Sequence, residues 1–208
     1  MNYDYGMGAT IEVEKKARVA DMPAAAAALR KLGRLEGEID YRDLYFTRAE
    51  VEGYTTDRFR LRRTDGRAFV TYKERLPGGV DACREHEFEV SDPDAFTRLA
   101  LLFGLRVMMT KEKRGRRFVV EAGAVAGLCR PVRAELVEIR GLGEFIEIEA
   151  LVERPEEVAE AAAAVDALFR ALGVPATAFE PRPYTLMLYA LRPAAAGAAP
   201  SEVEKGCR

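Results

Sequence analysis

The stretch at residues 10–19, TIEVEKKARV, decides the fold because its charged and apolar residues alternate. Ile11 and Val13 share one parity, whereas Glu12, Glu14 and Lys16 share the other. Successive residues of a β-strand point to opposite faces, so this pattern predicts a strand with one apolar and one charged face. A half-buried antiparallel strand with its charges in water shows the same alternation. Taken alone, the stretch leaves open where the charges point.

Further segments repeat this pattern, and their charges are segregated by sign. The carboxylates concentrate at residues 12–14, 85–89 and 147–149, and the cations at residues 60–62 and 73. A face that serves only solubility tends to intersperse both signs along each strand. The other alternating segments are FRLRR (59–63), FVTYK (69–73), EHEFEV (85–90) and FIEIEA (145–150).

Turn signals between these segments predict a mostly antiparallel sheet. Asp65-Gly66 is a strong two-residue hairpin signal. A second turn is predicted near Pro77-Gly78-Gly79, and a third in KRGRRF at residues 113–118. Strands joined by hairpins pair in antiparallel fashion.

Three helices are predicted, and each needs an apolar surface to cover. The first follows Asp21 and ends at Gly33, the second follows Asp92 and ends at Gly104, and the third runs from Pro155 to Gly173. If these helices cover the apolar strand faces from outside, the charged faces must look inward. The simplest closed solution is an antiparallel barrel whose lumen carries both signs.

Composition narrows the function class. The 208 residues are 49% hydrophobic, and 32 Lys and Arg stand against 34 Asp and Glu. This balance argues against a basic nucleic-acid binder and against a disordered chain. No apolar run reaches membrane-spanning length, and a single His86 argues against His-rich zinc sites. We expect a cytoplasmic protein with one domain at residues 8–192 and a flexible tail at 193–208. We expect no nucleic-acid or membrane partner, and the sequence leaves open whether the protein forms a homodimer.

A lumen that carries both acidic and basic side chains indicates what kind of ligand it binds. Clustered carboxylates suit a hard divalent cation such as Mg²⁺ or Mn²⁺. Arg and Lys side chains suit phosphate, the former as a bidentate fork and the latter as a point charge. The combined ligand is a metal-chelated polyphosphate.

Six motifs in order resemble those of the CYTH, or triphosphate tunnel metalloenzyme, family, over roughly residues 10 to 190. ExExK alone is a weak signal, but the ordered set is a strong one. The motifs are Glu12-Val13-Glu14-Lys15-Lys16, Asp43-Leu44-Tyr45-Phe46, Arg60-Leu61-Arg62, Thr71-Tyr72-Lys73, Arg84 to Glu87, and Leu142 to Glu149 in the pattern L-G-x-F-x-E-x-E.

The resemblance implies an α+β fold: a closed eight-stranded antiparallel β-barrel, forming a tunnel, with helices packed outside. It also implies a small-molecule triphosphate substrate bound with Mg²⁺ or Mn²⁺. With strand parity, it assigns three sets of residues. The metal ligands would be Glu12, Glu14, Glu85, Glu87, Glu147 and Glu149; the phosphate-binding residues Lys16, Arg60, Arg62, Lys73, Lys111, Lys113 and Arg133; and the catalytic residues Glu14, Lys16 and Glu147.

Three departures from the family pattern affect the expected site. The family usually has an Asp where this chain has Val137, and Glu135 shares the parity of that position. Lys111-Glu112-Lys113 stands in place of a K-x-R strand, and Arg182-Pro183-Tyr184 resembles the motif R-S-Y. A weakened metal site is one consequence of Val137.

Three functions remain open. Hydrolysis of inorganic triphosphate, thiamine triphosphate or a nucleoside triphosphate is the leading prediction, since it demands the fewest special groups. A class IV adenylyl cyclase would use the same tunnel to convert ATP to cyclic AMP and pyrophosphate. A non-catalytic polyphosphate-binding module is the third, motivated by Val137.

Overall fold

The computed structural model describes residues 10–76 and 82–192 of the chain. It contains eight strands, four α-helices and two 3₁₀ turns at Pro155–Glu157 and Ala176–Ala178. The strands are β1 (Thr10–Arg18), β2 (Arg34–Arg48), β3 (Phe59–Thr64), β4 (Arg67–Arg75), β5 (Ala82–Glu89), β6 (Leu105–Val120), β7 (Val132–Ile139) and β8 (Gly143–Val152). The helices are α1 (Met22–Leu32), α2 (Pro93–Leu102), α3 (Val158–Ala171) and α4 (Tyr184–Ala190).

The strands close into one barrel in the order β1-β5-β4-β3-β2-β6-β7-β8, and every neighbouring pair is antiparallel. The predicted closed eight-stranded antiparallel barrel is confirmed. None of the helices in residues 10–76 and 82–192 combines the length and the apolar character that a bilayer crossing requires.

The three predicted helices form, and aspartates cap the first two as expected. The third begins later than predicted, because Pro155–Glu157 form a 3₁₀ turn before α3. The Asp21 side chain accepts the backbone N–H of Ala24 at 2.9 Å, and that of Asp92 accepts the N–H of Ala95 at 2.8 Å. Side chains at this position satisfy N–H groups that lack a partner in the first turn. The sequence did not indicate α4, because its seven residues are too few to show a helical period.

One predicted turn forms, one lies outside the described residues and one is wrong. Asp65 and Gly66 both have positive φ, at 46° and 74°, as a type I′ hairpin requires. The turn near Pro77-Gly78-Gly79 and the tail at 193–208 lie outside the described residues. Residues 113–118 are the middle of β6. Gly115 there marks a close backbone approach, because a Cβ atom would overlap the backbone of Leu136.

Packing explains why the charged faces point inward. Ile11 and Val13 of β1 are buried in one cluster with Val165 and Leu168 of α3. On another side, Phe46 and Leu61 share a cluster with α2. Because the helices cover the apolar faces from outside, the opposite faces of these strands enclose the barrel interior.

A third apolar cluster lies where α4 meets the barrel. Tyr184 and Met187 of α4 are buried with Val137, Ile139 and Phe145. Val137 and Phe145 have the inward parity of Glu135 and Glu147, so α4 packs against inward-facing residues of β7 and β8. One end of the interior is therefore apolar, whereas the rest is charged.

Candidate active site

The barrel encloses a cavity of about 1120 Å³, and all eight strands contribute residues to its wall. The cavity is large enough for a drug-sized ligand or a triphosphate with its counter-ions. Its charged lining divides into an acidic cluster and two groups of carboxylates that are paired with cations.

The acidic cluster consists of Glu12, Glu14 and Glu149 on the adjacent strands β1 and β8. One carboxylate oxygen of each lies within 4.8 Å of those of the other two. Glu14 and Glu149 are direct cross-strand partners, a placement that is unfavourable for like charges. Oxygen ligands at this spacing, with surplus negative charge, match the preference of Mg²⁺ or Mn²⁺.

The pKa values within the acidic cluster report that surplus charge. Burial, together with repulsion from Glu147 and Glu12, raises the pKa of Glu14 to about 7. Burial and the charge of Glu12 raise the pKa of Glu149 well above its usual value. Burial acts in the same direction on Glu12, but the adjacent Lys73 ammonium and its hydrogen bonds hold that pKa at about 2. A bound cation would offset this repulsion and favour the fully ionised cluster.

One lysine and one arginine neutralise the buried carboxylates Glu135 of β7 and Glu147 of β8. The Lys113 ammonium is 2.5 Å from a Glu135 oxygen and also contacts Glu147. Arg117 donates to Glu135 at 2.7 Å. Burial would lower the pKa of Lys113, but the charges of Glu147 and Glu135 raise it. This group is a closed ion-pair network.

A second neutralised group lies on β2, β3 and β6. Arg62 donates to both oxygens of Asp43, at 2.8 and 3.0 Å, and the Lys111 ammonium lies 3.2 Å from the same carboxylate. The Asp43 side chain has no exposed surface. Burial would raise the pKa of Asp43, but Arg62 and Lys111 hold it well below its usual range. Two cations are thereby fixed in the cavity wall.

The remaining cations differ in how far they are paired. Lys73 pairs with Glu12 and, at 2.6 Å, with Glu85. Arg60 donates to Thr71 Oγ1 at 2.9 Å, while its Nε is buried without a partner in the described chain. Lys16 forms no ion pair within 4 Å of any described carboxylate. The Nε of Arg60 and the ammonium of Lys16 are therefore the groups left available for an anion.

Every residue that the sequence assigned to the site lines this cavity. Their groupings differ from those the resemblance implied. Of the six acids assigned to metal, Glu12, Glu14 and Glu149 come together, whereas Glu85 pairs with Lys73, Glu147 with Lys113, and Glu87 accepts a hydrogen bond from Thr71 at 2.7 Å. The metal, phosphate and catalytic roles stay predictions.

The structure also defines positions that the sequence left open. In β6 the cavity-lining cations are Lys111, Lys113 and Arg117. Glu135 lines the cavity, and Val137 lies in the apolar cluster. Sequence reasoning assigned no role to the lining residues Tyr41, Arg117 and Tyr184, or to Asp43, which is buried beside the lining residues Arg62 and Lys111. Strand parity could have found Asp43, Tyr41 and Arg117, whereas Tyr184 stood only in the resemblance of Arg182-Pro183-Tyr184 to R-S-Y, which indicated no role for it.

Comparisons with known proteins agree with this architecture. A family model described as the CYTH domain matches residues 10–184. Candidate adenylate cyclase MJ0240 of Methanocaldococcus jannaschii is 27% identical over 142 residues, which cover 67% of this chain and 76% of that protein.

Two solved structures extend the comparison to the fold. The PH1819 protein of Pyrococcus horikoshii OT3 is 29% identical, with a TM-score of 0.72 over 87% of this chain and 99% of that one. A candidate adenylate cyclase from Vibrio parahaemolyticus is 18% identical, with a TM-score of 0.71 over 86% of this chain and 97% of that one. At this lower identity the likeness shows the fold alone. Because the family model spans the barrel from its first strand to the start of α4, the chain belongs to the CYTH domain family.

Proposed function

We propose that this protein is a metal-dependent hydrolase of a triphosphate-containing substrate, whether inorganic triphosphate, thiamine triphosphate or a nucleoside triphosphate. The observation that carries the proposal is a three-carboxylate cluster facing arginine and lysine side chains inside one cavity. An acidic cluster alone could hold a cation for structural reasons, and a basic wall alone could hold any anion. The two together fit a phosphate chain that carries its own divalent metal.

The cations of the wall would bind the phosphate chain. Arg62 is already oriented by Asp43, so little side-chain entropy remains to be lost when it contacts phosphate. Arg60 has a buried Nε without a partner among the described residues, and Lys16 has no carboxylate within 4 Å there. These donors would stabilise charge on the phosphoryl oxygens as the reaction proceeds. Lys73, Lys111, Lys113 and Arg133 complete the positive wall.

The acidic cluster would hold the metal and orient water. Glu12, Glu14 and Glu149 would be the ligands of Mg²⁺ or Mn²⁺, which offsets phosphate charge and lowers the pKa of water when bound. Glu14 must be ionised to act as a ligand, and its pKa of about 7 places that ionisation near neutrality. Glu147 neighbours Lys16 in the β1–β8 register. From there it would accept a hydrogen bond from a water directed at the terminal phosphorus.

A substrate panel with Mg²⁺ and with Mn²⁺ tests the proposal, scored separately for phosphate, pyrophosphate and cyclic nucleotide. Hydrolysis predicts phosphate release that stops when metal is chelated. Glu14→Gln should abolish turnover, and Arg60→Ala should raise KM. Glu138→Gln, at an exposed position on the outer face of β7, is the matched control. Full activity in both site variants, or binding without turnover under either metal, contradicts the proposal.

A second candidate is an adenylyl cyclase, favoured by the name of the M. jannaschii relative. In that reaction the ribose 3′-hydroxyl attacks the α-phosphorus of ATP and pyrophosphate leaves. The same panel separates the two reactions. A cyclase converts ATP to cyclic AMP and pyrophosphate, whereas a hydrolase releases phosphate and leaves a nucleotide without a cyclic phosphodiester.

A further inference from the structure

Tyr184, the first residue of α4, lines the cavity, and its hydroxyl has no partner within 3.5 Å among residues 10–76 and 82–192. Only 7% of its surface is exposed, and its ring packs edge-on against Phe145 at a centroid distance of 4.9 Å. Within the described part of the chain its hydroxyl is buried with no hydrogen-bond partner. Since a buried hydroxyl without a partner is destabilising, native structures rarely keep one without a reason.

Two ammonium groups lie close to the same ring. The Lys16 nitrogen is 5.2 Å from the ring centroid and the Lys111 nitrogen is 5.7 Å from it. Lys111 is already paired with Asp43 at 3.2 Å. Lys16 has no carboxylate within 4 Å among the residues described. An unpaired hydroxyl and an unpaired ammonium therefore meet at one place in the cavity, and both can donate.

The chemistry of the missing partner follows from these two groups. A neutral hydroxyl beside an ammonium matches an anionic oxygen, and phosphoryl oxygen accepts several such bonds at once. Burial, the charges of Glu147 and Glu14, and the closeness of the Glu147 carboxylate as an acceptor raise the pKa of Tyr184 above its usual value, so the phenol keeps its proton. Glu147 is therefore a competing acceptor for this hydroxyl in the ligand-free protein. A hydroxyl that stays protonated can donate to an anion throughout the physiological pH range.

We propose that the Tyr184 hydroxyl donates a hydrogen bond to a phosphate oxygen that Lys16 also contacts, which makes α4 part of the substrate site. This inference rests on the proposed function, because it takes the ligand of the cavity to be a phosphate chain. It places one end of that chain against the apolar cluster of α4, Val137 and Phe145.

Tyr184→Phe tests the inference by removing one oxygen and keeping the ring. Tyr189→Phe is the matched control, because Tyr189 lies on the same helix but packs against Tyr54, with ring centroids 5.6 Å apart, and does not line the cavity. Inorganic tripolyphosphate is the probe, with its Kd measured by calorimetry and the melting temperature of each ligand-free protein measured alongside.

In Tyr184→Phe the Kd should rise roughly tenfold, while the melting temperature of the ligand-free protein stays level or increases. The control should leave Kd unchanged. A structural role, such as donation to Glu147, predicts a lower melting temperature. A Kd within twofold of the original, or weaker binding that accompanies a lower melting temperature, overturns the inference. Failure of the unaltered protein to bind tripolyphosphate at all overturns the proposed function instead.

A double-mutant cycle tests whether Tyr184 and Lys16 contact the same phosphate oxygen. If Tyr184 and Lys16 contact the same phosphate oxygen, Tyr184→Phe should weaken binding much less in a Lys16→Met background than in the unaltered protein. Independent effects that multiply would place the two groups on different parts of the ligand and overturn this assignment.

Discussion

The acidic cluster of Glu12, Glu14 and Glu149 contrasts with Asp43 and Glu135 in the same barrel interior. Burial and the charges of neighbouring carboxylates raise the pKa of Glu14 and Glu149, and the nearby cations, including Arg133 at 3.7 Å from Glu149, do not offset this. Burial acts on Asp43 and Glu135 in the same direction, yet their pKa values fall below the usual range. What differs is the partner, since Arg62 and Lys111 face Asp43, and Lys113 and Arg117 face Glu135.

This contrast separates two uses of buried charge. The carboxylates that have partners hold lysine and arginine side chains in fixed positions, so that the wall is preorganised before any ligand enters. The carboxylates of the acidic cluster carry repulsion that Lys73 and Arg133 offset only in part, so that an added cation should relieve the rest. Removing charge from the two groups should therefore have opposite consequences for the ligand-free protein.

Asp43→Asn should give the largest effect, a loss of about 3–5 kcal/mol in the free energy of unfolding. The amide leaves Arg62 and Lys111 buried without their counter-charge. Urea denaturation measures the loss. Asp40→Asn is the control, because Asp40 is more than half exposed and lies 3.5 Å from Arg114, so its loss should stay below about 1 kcal/mol. Equal effects at both positions would contradict the distinction between buried and exposed pairs.

Glu147→Gln and Glu14→Gln should shift stability in opposite directions in the ligand-free protein. The first removes one of the two carboxylates that contact Lys113 and should lower the free energy of unfolding by about 1–3 kcal/mol. The second relieves repulsion among Glu14, Glu12 and Glu147 and should leave stability level or raise it. Unfolding in the presence of a chelator checks both variants, and a change of the same sign in both would be inconsistent with the contrast.

The free energy of unfolding of the ligand-free protein should decrease as the pH rises from about 5 to about 7.5. Glu14 has a pKa of about 7 when folded against a model value of 4.5, so the folded state binds more protons across this interval. Stability then decreases as pH rises, by about 1–3 kcal/mol. Glu12 and Glu135, with pKa values of about 2, act in the opposite sense only below pH 4.5, where their stabilising effect is lost.

Denaturation at intervals of pH measures this slope. Glu14→Gln should reduce it to the part that Glu149 contributes through its own raised pKa, and saturating Mn²⁺ should reverse it, because a bound cation favours the ionised carboxylates. A slope that is the same in Glu14→Gln and in the unaltered protein would show that another group titrates there.

The barrel and its lining were accessible from sequence because both follow from strand parity. In TIEVEKKARV the alternation assigns Glu12, Glu14 and Lys16 to one face, and the apolar helices leave only the interior for that face. The incorrect turn prediction at residues 113–118 shows that local composition does not reveal contacts between strands. Glycine beside arginines is typical of a loop, but Gly115 serves the close approach of β7 to β6, and only the assembled barrel reveals it.

Partner choice within the lumen was not accessible, because it depends on the register between strands far apart in sequence. Glu147 and Glu149 are indistinguishable in the stretch FIEIEA. In the barrel Glu147 contacts Lys113 of β6, whereas Glu149 joins Glu12 and Glu14 of β1. Tyr184 appeared in the sequence only within the R-S-Y resemblance. Its place in the cavity could not be predicted, because α4 is short and its position comes from packing on Val137 and Phe145.

Thr71→Val tests the hydroxyl that links Arg60 to Glu87, a cation and a carboxylate that also lie 3.8 Å apart. Thr71 Oγ1 accepts from Arg60 at 2.9 Å and donates to Glu87 at 2.7 Å. Valine keeps the volume but removes both hydrogen bonds, which should lower the free energy of unfolding by about 1–2 kcal/mol.

The same substitution leaves Arg60 without its anchor, so tripolyphosphate binding should weaken about threefold. Thr71→Ser should restore both quantities, because it keeps the hydroxyl. If Thr71→Val loses stability while binding stays intact, the threonine serves only the barrel wall. If binding weakens as expected and serine restores it, then Arg60 depends on a neutral hydroxyl in the way that Arg62 depends on the carboxylate of Asp43.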